Sequence, residues 1–161
     1  MQDYVVELRE VVERAAPLLA AMTDEESAVA LSPGKWSPRE IIGHLIDSAS
    51  NNHQRFVRAQ FQNDLIFPGY AQEDWVRAQG YRDAPWKELL ALWRSYNLQL
   101  ARVMAAVPQE IRMKEHRKHN LHLIAWQTIP EDRPATLDYL MSDYVGHLKN
   151  HLRQILGAVL V

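Results

Sequence analysis

The chain has no cysteine, and that absence excludes disulfides, thiolate metal sites, iron–sulfur clusters and cysteine nucleophiles. Any metal would have to be held by nitrogen and oxygen. Charge of one sign is also missing. The formal net charge is −2, with 18 basic and 20 acidic residues interspersed, so no tract favours nucleic acid or an anionic membrane. No window reaches the ~20 apolar residues of a membrane span. The start, Met1-Gln2-Asp3-Tyr4, lacks the basic and apolar regions of a signal peptide. These absences predict a soluble, cytoplasmic protein with no nucleic-acid or membrane partner. Glycine is sparse, with no phosphate-cradling loop, and no serine sits in a nucleophile elbow. Nucleotide chemistry and serine-triad hydrolysis are unsupported. The length, 161 residues, suits a single domain over 1–161 that buries its own core.

What the chain has is helical periodicity. From Tyr4 to Met22 apolar residues recur every three or four positions, predicting an amphipathic helix kinked or broken at Pro17. Thr23-Asp24-Glu25-Glu26 reads as a capping box over a short turn. Ser37-Pro38-Arg39-Glu40 is the clearest helix start: serine caps, proline occupies the first position and glutamate closes the box. The helix it opens should end near Asn63, burying Ile41, Ile42, Leu45, Ile46, Ala49, Phe56, Val57 and Phe61 and leaving Arg55, Arg58 and Gln60 in solvent. A short helix anchored by Trp75 is expected from Ala71 to Ala78. A third long helix follows Pro85 and is stopped by Pro108. Residues 108–135 read as a long crossing connection, and a fourth long helix runs from a Thr136 cap to about Leu160. The expected fold is all-α, a four-helix bundle with a long crossing connection between its third and fourth long helices.

Histidine carries the chemistry. His147 and His151, four apart, share one helix face one turn apart, and His44 lies on the inward arc of the second long helix. Neutral imidazole suits zinc, nickel, cobalt and iron. Three imidazoles with an open position make a catalytic type of centre. The alternative is that each ring is a core or surface residue satisfied by a neighbouring carbonyl. Spacing alone leaves the two readings level. His116, His119 and His122 repeat by threes beside Arg117 and Lys118, a cluster that could hold a second metal ion but that a mobile basic loop also shows. With His53, Asn51 and Asn52 they are candidates for the mouth of a site. Trp36 is a candidate for its border. Asp143, one turn before His147, and Asp47, about one turn after His44, could orient a ligand or exchange protons, although a solvated helix face is the usual place for aspartate.

The run Lys35-Trp36-Ser37-Pro38-Arg39-Glu40-Ile41-Ile42-Gly43-His44-Leu45-Ile46-Asp47-Ser48, with Asp143-Tyr144-Val145-Gly146-His147-Leu148-Lys149-Asn150-His151, resembles the DinB-like superfamily. His44-Leu45-Ile46-Asp47-Ser48 with Asn51, Arg55 and Phe56 narrows the resemblance to its YfiT-like branch of metal-dependent hydrolases and thiol transferases. The resemblance implies a bundle, often dimeric, in which His44, His147 and His151 hold a divalent ion, with zinc or nickel favoured. It further implies a small electrophilic substrate attacked by water or by a low-molecular-weight thiol. The competing expectation is a non-catalytic, stress-associated metal-binding homodimer.

Overall fold

A computed structural model describes residues 3–157. Four long helices dominate: α1 (Asp3–Ala20), α3 (Pro38–Arg58), α5 (Trp86–Ala106) and α8 (Leu137–Leu156). Between them lie α2 (Asp24–Ala28), α4 (Gln72–Ala78), α6 (Gln109–Arg112) and α7 (Leu121–Ile124). Among the described residues there are no strands, only two isolated bridges. α5 packs on α1 and α3, and α8 packs on the same two helices. The diagonals therefore pair α1 with α3 and α5 with α8. Both the α1–α3 and the α5–α8 connections must cross an end of the bundle, whereas the sequence reading foresaw only the second crossing.

The first crossing is tied down by Arg39, which is 5% exposed. Its guanidinium donates to the Asp24 carbonyl at 2.7 Å and to Ser27 Oγ at 2.9 Å, and pairs with the Asp24 carboxylate at 2.8 Å. That hydrogen-bonded cation holds the Asp24 carboxyl below its usual range. Trp86 locks the same corner, its indole N–H donating to the Leu19 carbonyl at 3.1 Å. Both capping boxes form as the residues dictate, at Thr23/Glu26 and at Ser37/Glu40. A capping box satisfies two otherwise orphaned backbone donors, and at Ser37 it sets the start of the helix that carries His44.

Several local expectations are corrected. α1 runs through Pro17 without a break; Pro17 is exposed in the last turn, where water can take the carbonyl that proline leaves unpaired. α3 ends at Arg58, followed by a 3₁₀ turn over Ala59–Phe61. Phe61 is 84% exposed, whereas Arg55 is 5% exposed, the reverse of the expected burial. The tightened turn rotates Phe61 off the apolar stripe, while Arg55 stays on the inner face. In α4 the buried residue is Val76, and Trp75 lies against Tyr70 with ring centroids 5.0 Å apart. α8 stops at Leu156, where Gly157 takes φ 62°, a conformation that costs glycine little. The expected end at Leu160 lies outside the described residues.

The second crossing is held in place by hydrogen bonds. His116 and Ala135 exchange backbone bonds, Leu65 N–H donates to the Lys118 carbonyl, and Asn120 N–H donates to that of Leu65. His116 and His119 are buried. His116 Nδ1–H donates to the Asn63 carbonyl at 3.2 Å, and His119 Nε2–H donates to that of Arg133 at 2.6 Å. These two histidines bind one loop to another, and the mobile-loop reading of the cluster is set aside.

Gly43, next to His44, lets α3 accept the Tyr81 ring at very close range. A Cβ built there would stand 2.3 Å from ring carbons of Tyr81, closer than any real contact. Gly43→Ala is expected to lower the melting temperature by about 5 °C or more through overpacking. An unchanged thermal transition would show that Tyr81 does not pack there.

Candidate metal centre

His44 comes from about two turns into α3, and His147 and His151 from successive turns of α8. α3 and α8 pack directly, so the three rings meet inside the bundle. One nitrogen from each ring lies within 4.8 Å of the other two. His44 Nε2 and His147 Nε2 are 3.2 Å apart, close to the ~3.3 Å edge expected between nitrogens bound at ~2.0–2.1 Å to a tetrahedral ion. Ring centroids are 4.6–5.2 Å apart with the ring planes steeply inclined to one another, so no two of the three rings stack.

Burial, aided by the neighbouring His151, lowers the pKa of His44 to about 3. Burial and the other two rings do the same to His147, also to about 3, and burial lowers His151. Near neutral pH the rings are therefore uncharged with lone pairs free, the state a cation requires. Among the described residues no other histidine, cysteine or carboxylate joins this cluster. The donor set fits a divalent ion of the borderline type, with coordination left for a further ligand.

Neighbouring groups fix the rings. With Nε2 turned toward the cluster, His147 Nδ1–H donates to Ser48 Oγ at 3.4 Å, and His151 Nδ1–H donates to Gln154 Oε1 at 3.2 Å. His44 Nδ1 is buried without a hydrogen-bond partner, and the Trp36 ring lies 5.1 Å from its centroid. Gly146 leaves room for Trp126, whose ring carbon would come within 2.9 Å of an added Cβ, so an indole lies beside His147.

A pocket of about 210 Å³ opens onto His147 and His151. α3 supplies Ser48, Asn52 and Arg55, while Leu123, Ile124 and Trp126 form an apolar wall. The sequence reading missed Ser48 as a site residue and placed Arg55 in solvent. A signal was there: 44, 48, 52 and 55 follow the helical repeat, so polar residues at all four make one stripe on the face that His44 turns inward.

Asp143 also lines the pocket. Its carboxylate accepts the Trp126 N–H at 2.8 Å and the Gln127 N–H at 2.7 Å, anchoring the apolar wall to α8. Burial raises its pKa against those two bonds. Asp47 faces elsewhere. Its Oδ1 accepts the Tyr81 hydroxyl at 2.7 Å and the Gln79 amide at 2.5 Å, its Oδ2 is buried without a partner, and burial raises its pKa. Of the residues considered for the mouth, Asn52 is in the pocket. Asn51 donates to the Asp47 carbonyl, and His53 turns to the Tyr96 hydroxyl.

The family model of the DinB superfamily matches residues 7–155. A protein of Oceanobacillus iheyensis named "putative metal-dependent hydrolase" is 24% identical over 76 residues, covering 47% of this chain and 44% of that relative. The solved structure of YfiT from Bacillus subtilis, described as "a probable metal-dependent hydrolase with an unusual four-helix bundle topology", superposes with a TM-score of 0.77. That alignment covers 97% of this chain and 86% of YfiT at 18% identity, and shows a shared fold.

Proposed function

The chain belongs to the DinB superfamily, and from that premise we propose that His44, His147 and His151 hold one divalent ion in a hydrolase acting on a small electrophile. The observation that carries this reading is the convergence of three uncharged imidazoles, joined by no further histidine, cysteine or carboxylate among the described residues, with two of them, His147 and His151, opening onto a pocket. A structural site is normally closed by four protein ligands, whereas a catalytic one keeps a position open. When bound, such an ion supplies Lewis acidity, making a nucleophile available near neutral pH and polarising the bond under attack. Zinc and nickel suit the all-nitrogen donor set.

The surrounding residues have assignable parts. Ser48 fixes the tautomer and tilt of His147. The indole of Trp36 lies against His44 and that of Trp126 beside His147, giving both rings an apolar neighbour. Asp143, with burial opposing its charge, is the carboxylate placed to exchange a proton with a molecule in the pocket. Asp47 is engaged by Tyr81 and Gln79 and serves to hold α3 against the 79–81 segment. A low-molecular-weight thiol as the nucleophile would use the same pocket, and having no cysteine the chain would take it as a cosubstrate.

The test is a panel of small activated esters, amides and alkyl halides offered to protein loaded with zinc, nickel or cobalt, with and without added thiols. Turnover is expected to require the ion and to fall at least about 100-fold in His151→Ala. Thiol-dependent turnover alone would select the transferase form. No turnover from fully loaded protein across the panel would favour a non-catalytic metal-binding bundle.

A further inference from the structure

Arg55 is a buried cation without a buried anion. It is 5% exposed, and none of the ion pairs among the described residues involves it. Its guanidinium donates to two neutral oxygens, Asn52 Oδ1 at 3.3 Å and the Pro68 carbonyl at 3.1 Å. A guanidinium carries five N–H donors in a rigid fork, so donors remain for a further partner. Removing such a charge from water is costly unless an opposite charge meets it. Arg39, the other buried arginine, has that charge in Asp24.

The same pocket that opens on His147 and His151 is lined by Arg55. A chain of contacts joins the two ends: Arg55 to Asn52, Asn52 Nδ2–H to Ser48 Oγ at 3.4 Å, and Ser48 to His147. The phenol of Tyr70, also on the wall, is pushed up to about 12 by burial and is uncharged. The one acid on the wall, Asp143, has both carboxylate oxygens turned to backbone N–H groups. We propose that the Arg55 guanidinium is the anchor for a carboxylate-bearing small molecule, held with its other end toward His147 and His151 and its body against Leu123, Ile124 and Trp126. This deepens the proposed function and rests on it for the reacting end only, since Arg55 is present with or without an ion. At about 210 Å³, below the ~300 Å³ of common ligand pockets, the space suits a molecule of few heavy atoms.

The test is calorimetric titration of metal-free protein with benzoate and with its neutral analogue benzamide. Without an ion, a carboxylate has no metal to bind. Wild type is expected to prefer benzoate by about tenfold or more, Arg55→Gln to bind the two within about twofold, and Arg55→Lys to fall between. Since Arg55→Gln removes a buried group and can misfold, wild type is also labelled with phenylglyoxal and mapped. Benzoate, and not benzamide, is expected to protect Arg55. Equal binding of the two by wild type, or no protection, overturns the anchor. Elemental analysis after metal loading separates the two readings: retained metal in Arg55→Gln with lost preference supports both, whereas wild type that takes up no ion when loaded yet still prefers benzoate sinks only the metal site.

Discussion

Replacing His147 with alanine is expected to lower divalent-metal affinity by about 100-fold or more, taking the protein from near stoichiometric metal to almost none under ordinary purification. Loss of a group that merely orients a ligand commonly costs about 10–100-fold, and His147 is itself a proposed ligand, its Nε2 standing 3.2 Å from that of His44. The fold should survive, because α8 is held elsewhere. Leu148 and Leu152 lie in the core, and the Tyr144 hydroxyl donates to Asn97 through the bundle centre. Ser48→Ala should give a smaller loss, about tenfold, since it removes only the bond to Nδ1. Inductively coupled plasma analysis of untagged protein, with circular dichroism as the control for folding, measures both. Undiminished metal in His147→Ala would refute the site.

Acid should destabilise the metal-free protein well before ordinary carboxylates titrate. His44 and His147 have pKa values near 3 in the folded chain and about 6.5 when unfolded. Between those values the unfolded state binds protons that the folded state refuses, so stability rises with pH in that window and is lost as pH falls from about 6.5. Asp47 and Asp143, raised by burial, work in the opposite sense at lower pH, because the folded state then takes up protons first. The net expectation is a fall in melting temperature of about 5–10 °C between pH 7 and pH 5. Bound metal should raise the transition at pH 7 by linkage and make it steeper in acid, as protons compete for the rings. A flat profile for the metal-free protein would show that the rings are not buried uncharged.

The long helices and their caps were legible because each rests on local chemistry. Ser37 and Glu40 close a box within three residues, and Thr136 caps α8 through Tyr139 N–H. Helical spacing brought His147 and His151 together, the inward arc of the helix opened by Ser37 offered His44, and the resemblance made the three one ligand set. Which helices are neighbours was not legible, because amphipathic stripes say that a face is buried and not against what. The burial of the two arginines was not legible for a related reason. Arg39 and Arg55 look solvated by residue type, and only Asp24, 15 positions away, or the carbonyl of Pro68, 13 away, explains their burial. His116 and His119 looked like ligands or loop decoration until the carbonyls of Asn63 and Arg133 were seen to take their ring protons.

Anomalous diffraction from crystals of zinc-loaded protein tests the central claim most directly. One peak is expected about 2.0–2.1 Å from a ring nitrogen of each of His44, His147 and His151, with the remaining coordination directed to the pocket that Ser48, Asn52 and Arg55 line. A peak elsewhere, a fourth protein ligand closing the ion off, or no peak from metal-saturated crystals would contradict the account.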